Sequence, residues 1–160
     1  DIKFHDIPNT VSKSIESFKG YPIKLLTIHL SGGSSMIKSA LDSSKNINAK
    51  CIGVSILTSL SREDILEITS SEFDIYFDKL ISVAKNTNID GIVCSPNELN
   101  KLRDFNKLKV VPGIRNSISD DDQKRIMSSN DAYQNGADFI VVGRPITLSK
   151  DPAKALELFI

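Results

Sequence analysis

Short apolar runs alternate with stretches of helical spacing along this chain, and the alternation starts at once. Asp1-Ile2-Lys3-Phe4 reads as a strand in which Ile2 and Phe4 turn to apolar surroundings while Asp1 and Lys3 share the other face. Pro8 suits the first turn of a following helix, Val11, Ile15 and Phe18 recur at helical spacing, and Gly20 is its stop. Lys24 to His29 predicts a second strand, and Met36, Ile37, Ala40 and Leu41 a helical stripe entered through Gly32-Gly33. Cys51 to Leu57 is a third strand closed by Thr58-Ser59. A short helix from Arg62 to Ile68 and a longer one marked by Tyr76, Leu80, Val83 and Ala84 follow. Gly91 to Cys94 is a fourth strand, and Pro96 opens a helix through Leu99, Leu102 and Phe105. Lys109-Val110-Val111 is a fifth strand ending in Pro112-Gly113-Ile114-Arg115, and Asn116 to Asp122 predicts a mobile loop. A helix over Asn130 to Asn135 leads to a sixth strand, Phe139 to Val142, then Gly143-Arg144-Pro145. Asp151-Pro152 starts a closing helix that runs through Phe159.

Strand and helix in strict alternation predict an α/β protein with a parallel sheet covered by helices. No linker divides residues 1–160, so a single domain is expected. Six units suit either an open doubly wound sheet or a TIM (βα)8 barrel without its first two βα units. Lys3, His29, Thr58-Ser59, Arg115 and Gly143-Arg144 all fall at or just beyond strand ends, which favours the barrel, where those ends converge on one mouth.

Composition narrows the function classes. Twenty basic residues balance twenty acidic ones, so no whole-chain field attracts nucleic acid or an anionic membrane. No apolar run reaches the roughly 20 residues of a membrane span, and the N-terminus shows no signal-peptide pattern. Cys51 and Cys94 sit in apolar runs as inert core thiols, which points to a reducing, cytoplasmic compartment.

The candidate chemistry lies at the two ends of the chain. Asp1, Lys3 and Asp6 bring a carboxylate, an ammonium and a second carboxylate to one strand end. Read alone, that set is either a solvated salt bridge or a catalytic network. Arg115, Gly143 and Arg144 follow adjacent strands, where two guanidinium forks and a glycine N–H fit a phosphomonoester, with Gln123 adding an amide and the 116–122 loop closing as a lid. His29 ends a strand inside the expected mouth, as an orienting or a structural residue, whereas His5 is placed out of phase with Lys3 on the loop side and read as structural. No Cys/His metal pattern, G-x-G-x-x-G or P-loop is present.

The run D-I-K-F-H-D-I-P-N-T, followed in order by T-I-H-L-S-G-G, I-L-T-S-L, V-V-P-G-I-R, D-D-Q-K-R and I-V-V-G-R-P-I-T, closely resembles the orotidine 5'-phosphate decarboxylase family, in its bacterial branch. The resemblance implies a homodimeric βα barrel that uses no metal or organic cofactor and converts orotidylate to UMP. It implies that Lys3 protonates C6 beside Asp1, that Asp6 enters the partner's site, and that Ile7 and Thr10 line the same ligand. It further implies that Thr58 binds the substrate, that Ser59 and Pro112 border the pyrimidine, and that Arg115, Gln123, Gly143 and Arg144 hold the phosphate. Ser128-Ser129 stands where the family has Thr-Pro. The family's two upstream βα units, with an aspartate and a lysine that touch the ribose and complete the charge network, are missing from these residues, so an N-terminally incomplete barrel is expected. The alternatives are a magnesium-dependent sugar-phosphate decarboxylase or lyase of the same barrel group, and an inactive phosphate-binding fragment.

Overall fold

A computed structural model of the chain describes residues 2–115 and 127–159. They fall into two compact units, the first formed by Asp1–Ser55 with Arg62–Val93 and the second by Ile56–Ser61 with Cys94–Ile160.

In the first unit four strands run parallel in chain order: β1 (Lys3–Phe4), β2 (Leu25–His29), β3 (Lys50–Val54) and β4 (Gly91–Val93). Their register sets Lys3 opposite Thr27, Leu26 opposite Cys51 and Ile52 opposite Gly91. After its first residue β3 is buried throughout, as expected of a parallel strand covered on both faces. Helices α1 (Pro8–Glu16), α2 (Gly33–Asn46), α3 (Arg62–Thr69) and α4 (Phe73–Thr87) supply the cover. Val11 and Ile15 of α1 pack with α2, whose Met36, Ile37 and Ala40 are fully enclosed. Small residues let these two helices approach: the Ser12 and Ser43 hydroxyls meet at 2.8 Å, and Ser39 donates to the Pro8 carbonyl at 3.0 Å. α1 ends at Glu16, before Phe18, whose ring instead meets Phe4 and Tyr21 edge-on. Asn88 closes α4 in the left-handed region at φ 53°, a position asparagine tolerates.

In the second unit β5 (Leu108–Val111) pairs in parallel with β6 (Phe139–Ile140), Val110 opposite Phe139. β6 is shorter than the apolar run predicts, although Val141 still donates to the Val111 carbonyl at 2.9 Å. Helices α5 (Ser129–Gln134), α6 (Arg144–Thr147) and α7 (Pro152–Glu157) complete this unit. Ser128 caps α5 by accepting the Asp131 N–H at 3.1 Å, and Asp151 caps α7 through Lys154 N–H at 3.2 Å. The helix expected through Leu99 and Phe105 is instead a 3-10 helix, Pro96–Leu102. Its start is a Ser95-x-x-Glu98 capping box: Glu98, 3% exposed, accepts the Ser95 N–H at 2.9 Å. That carboxylate is buried because it serves the backbone. Both cysteines are free and buried; burial pushes the Cys51 thiol up to about 12 and Cys94 higher still.

Candidate active site

In the first unit the site residues descend from the pairing of β1 with β2. Phe4 turns to Phe18 and its opposite number, Ile28, is buried, so by alternation Lys3 and Thr27 occupy the other face. The Thr27 hydroxyl ties the strands together by donating to the Ile2 carbonyl at 2.8 Å. Continuing the register by one step sets His5 against His29, and their rings lie 5.1 Å apart between centroids, tilted by 31°. This corrects the sequence reading of His5 as out of phase with Lys3: two residues apart on an extended strand, they share a side. Burial, then His5, then Lys3 all press the His29 imidazole below its ordinary proton affinity.

Beyond β1 the chain turns into α1. Asp6 is exposed and accepts the Ile7 N–H at 2.7 Å, which fixes its carboxylate at the start of a helix whose first residue is Pro8. Ile7, 66% exposed, and Thr10, in the first turn, follow on the surface. His5, Asp6, Ile7, Pro8, Ser31 and Gly32 together line an open depression. Asp1 lies outside the described residues.

The second unit carries the other candidates. Thr58, half-buried, and Ser59, exposed, stand in a turn in which Leu60 donates to the Leu57 carbonyl at 3.0 Å. Pro112 follows β5, and Gly113, at φ 77°, takes a left-handed step that only glycine makes without strain. That step leads to Arg115, which is 9% exposed; its main chain donates to the Met127 carbonyl at 2.9 Å and its Nη1 to the Ile114 carbonyl at 2.8 Å. A buried guanidinium bonded to the main chain is held in a set orientation. Gly143 precedes α6, and a methyl group built on it would meet nothing within 4 Å, so its backbone is open to close approach. Arg144, half-buried, is the first residue of α6. Gln123, the D-D-Q-K-R run and the 116–122 loop lie outside the described residues. Among the described residues no group of three or more His, Cys, Asp or Glu is disposed to hold a metal ion.

The sequence model of the orotidine 5'-phosphate decarboxylase / HUMPS family matches residues 1–159. The chain belongs to this family. The family description joins two groups, and the relatives distinguish them. The chain is 42% identical over 166 residues to orotidine 5'-phosphate decarboxylase of Wolbachia sp. subsp. Brugia malayi (strain TRS), covering 100% of this chain and 73% of that protein. It is 45% identical over 163 residues to the Ehrlichia canis (strain Jake) protein of the same name, covering 98% and 71%. The crystal structure of orotidine 5'-phosphate decarboxylase from Lactobacillus acidophilus superposes with a TM-score of 0.83 at 36% identity, over 99% of this chain and 71% of that one. The fold class is therefore the parallel α/β barrel class of the orotidine 5'-phosphate decarboxylases, and the chain spans about seven tenths of these relatives.

What the sequence reading missed is the His5–His29 contact and the Ser95–Glu98 box. The signals were present: His5 shares the parity of Lys3, and S-x-x-E is a capping pattern.

Proposed function

We propose that this chain decarboxylates orotidine 5'-monophosphate to UMP in pyrimidine synthesis, with Lys3 as the group that answers the charge developing at C6. The observation that carries the reading is similarity along the whole chain to proteins named orotidine 5'-phosphate decarboxylase.

Loss of CO2 from C6 leaves a vinyl carbanion without resonance stabilisation, so the site must favour that charge more than the bound carboxylate. The Lys3 ammonium lies on the open face of β1, where it stabilises the carbanion and then passes a proton to C6. Asp1 orients it within the subunit. Asp6, exposed and tied to the Ile7 N–H, serves the site of a second copy in a homodimer, with Ile7 and Thr10 against the same ligand. Thr58 binds the substrate, and Ser59 and Pro112 border the pyrimidine. Arg115, Gln123, Gly143 and Arg144 hold the phosphate, whose binding energy is drawn on at the distant reacting carbon. No described helix is long and apolar enough to cross a membrane, which accords with action on a soluble nucleotide in the cytoplasm.

The decisive experiment is CO2 release from orotidylate by the wild-type chain and Lys3→Ala. The wild type should turn over in the presence of EDTA, and Lys3→Ala should lose turnover while keeping its circular dichroism. Substantial residual turnover in Lys3→Ala overturns the assigned role. Loss of wild-type activity in EDTA, restored by magnesium, favours the sugar-phosphate lyase reading.

A further inference from the structure

Between the end of β5 at Val111 and Arg115 the chain takes its left-handed step at Gly113, where φ is 77°. Just beyond that step a short parallel bridge sets Ile114 opposite Met127. Two main-chain bonds close it: the Met127 N–H donates to the Gly113 carbonyl at 3.4 Å, and the Arg115 N–H donates to the Met127 carbonyl at 2.9 Å. We propose that this bridge makes Gly113 and Met127 positioning residues for the substrate phosphate, acting through the Arg115 guanidinium that they hold in place.

The bridge fixes Arg115 at both its main chain and its side chain. Ile114, in the middle, is fully enclosed and anchors the bridge in the core of the second unit. With Ile114 buried on one side and the Arg115 N–H bonded to Met127 on the other, the direction in which the arginine side chain leaves the backbone is set. The side chain then returns to the same three residues, because its Nη1 donates to the Ile114 carbonyl at 2.8 Å. An arginine that first becomes ordered around an anion loses its rotamer freedom on binding; one fastened in this way has lost it on folding, and binds from a prepared position.

Gly113 is the residue on which the arrangement turns. An L side chain is strained at its φ, and relieving that strain means altering the step that carries the chain from β5 into the bridge. The sheet places the result beside the other half of the phosphate clamp. Val141 donates to the Val111 carbonyl at 2.9 Å, so Pro112–Arg115 and Val142–Arg144 leave the sheet from neighbouring strands. A turn that served packing alone would carry apolar residues, as it does at Ile114; arginine is seldom enclosed to the 9% exposure of Arg115.

The inference rests on the decarboxylase reading, with Arg115 against the phosphate. The experiment is a double-mutant cycle on UMP binding to the full chain, measured by calorimetric titration. Its members are the wild type, Gly113→Ala, Arg115→Ala and the double variant, each checked for folding by circular dichroism. Gly113→Ala should weaken UMP about tenfold, Arg115→Ala at least as much, and the double variant no more than Arg115→Ala alone, since nothing is left to position. Met127→Pro removes the N–H that meets the Gly113 carbonyl without straining Gly113, and should show the same non-additivity with Arg115→Ala. Wild-type affinity in either folded variant, or a further loss when either is added to Arg115→Ala, overturns the proposal. Hydrogen exchange on the wild type needs no variant: the Arg115 amide should be protected before UMP is added, and an unprotected amide overturns the proposal as well. UMP binding without CO2 release from orotidylate would count against the decarboxylase reading alone, and the cycle would still decide the bridge. A wild type that does not bind UMP overturns both.

Discussion

The carboxylate of Asp90 accepts the backbone N–H of Cys51 at 2.8 Å, fastening the residue before β4 to the second residue of β3. The second unit repeats the device: Asp138, just before β6, accepts the Lys109 N–H of β5 at 2.7 Å. Each aspartate thus satisfies a donor on its partner strand's N-terminal half, where the chain enters the sheet from a helix.

Removing such an acceptor strands a partly buried N–H. Asp90→Ala should therefore cost about 1–3 kcal/mol in urea unfolding, with little change in the circular dichroism of the folded state. Unchanged stability would show that water replaces the carboxylate.

Gly53 is the fourth residue of β3 and lies under Leu30. A methyl group on it would sit 2.4 Å from Leu30 Cδ2 and 2.9 Å from Leu30 Cγ, with Ile89 Cδ1 at 3.0 Å. Leu30 and Ile89 are themselves fully enclosed, so neither can swing away. Gly53→Ala is expected to destabilise by about 1–3 kcal/mol through overpacking, read as a lower urea midpoint at unchanged slope.

The two arginines assigned to the phosphate should differ in what they cost. Arg144→Ala should raise KM for orotidylate by tenfold or more on the order-of-magnitude scale of a lost charge-assisted contact, with the melting temperature held. Arg115 is 9% exposed and bonded to the Ile114 carbonyl, so Arg115→Ala should both raise KM and lower stability by about 1–3 kcal/mol. Wild-type KM in either variant removes that residue from the clamp.

Stability should also depend on His29 in acid. Its proton affinity in the folded chain is lowered by burial, His5 and Lys3, so the unfolded chain binds the proton first as pH falls. The contribution is complete above the ordinary histidine value of about 6.5 and is lost progressively as pH falls through the lower, folded value. Thermal unfolding between pH 7.5 and 5.5 should show this loss in the wild type and less of it in His29→Gln; equal slopes would deny it.

The order of elements and the residues at the strand ends were legible in the chain itself. A run such as Cys51-Ile52-Gly53-Val54 is apolar at successive positions because a parallel strand is covered on both faces, and α1 announces itself through Pro8, Val11 and Ile15 at helical spacing. The family was legible too, since D-I-K-F-H-D-I-P-N-T and I-V-V-G-R-P-I-T are local strings that no folding is needed to read. Tertiary structure decided the relationships between distant positions. The register of β1 on β2, set by backbone hydrogen bonds, brought His5 to His29 across 24 residues of sequence. It likewise decided that Arg115 is enclosed and partly committed to the Ile114 carbonyl, while Asp6 stays exposed, because burial depends on what packs alongside a residue. Local spacing specifies which face a side chain takes; only the pairing of strands specifies what it meets there.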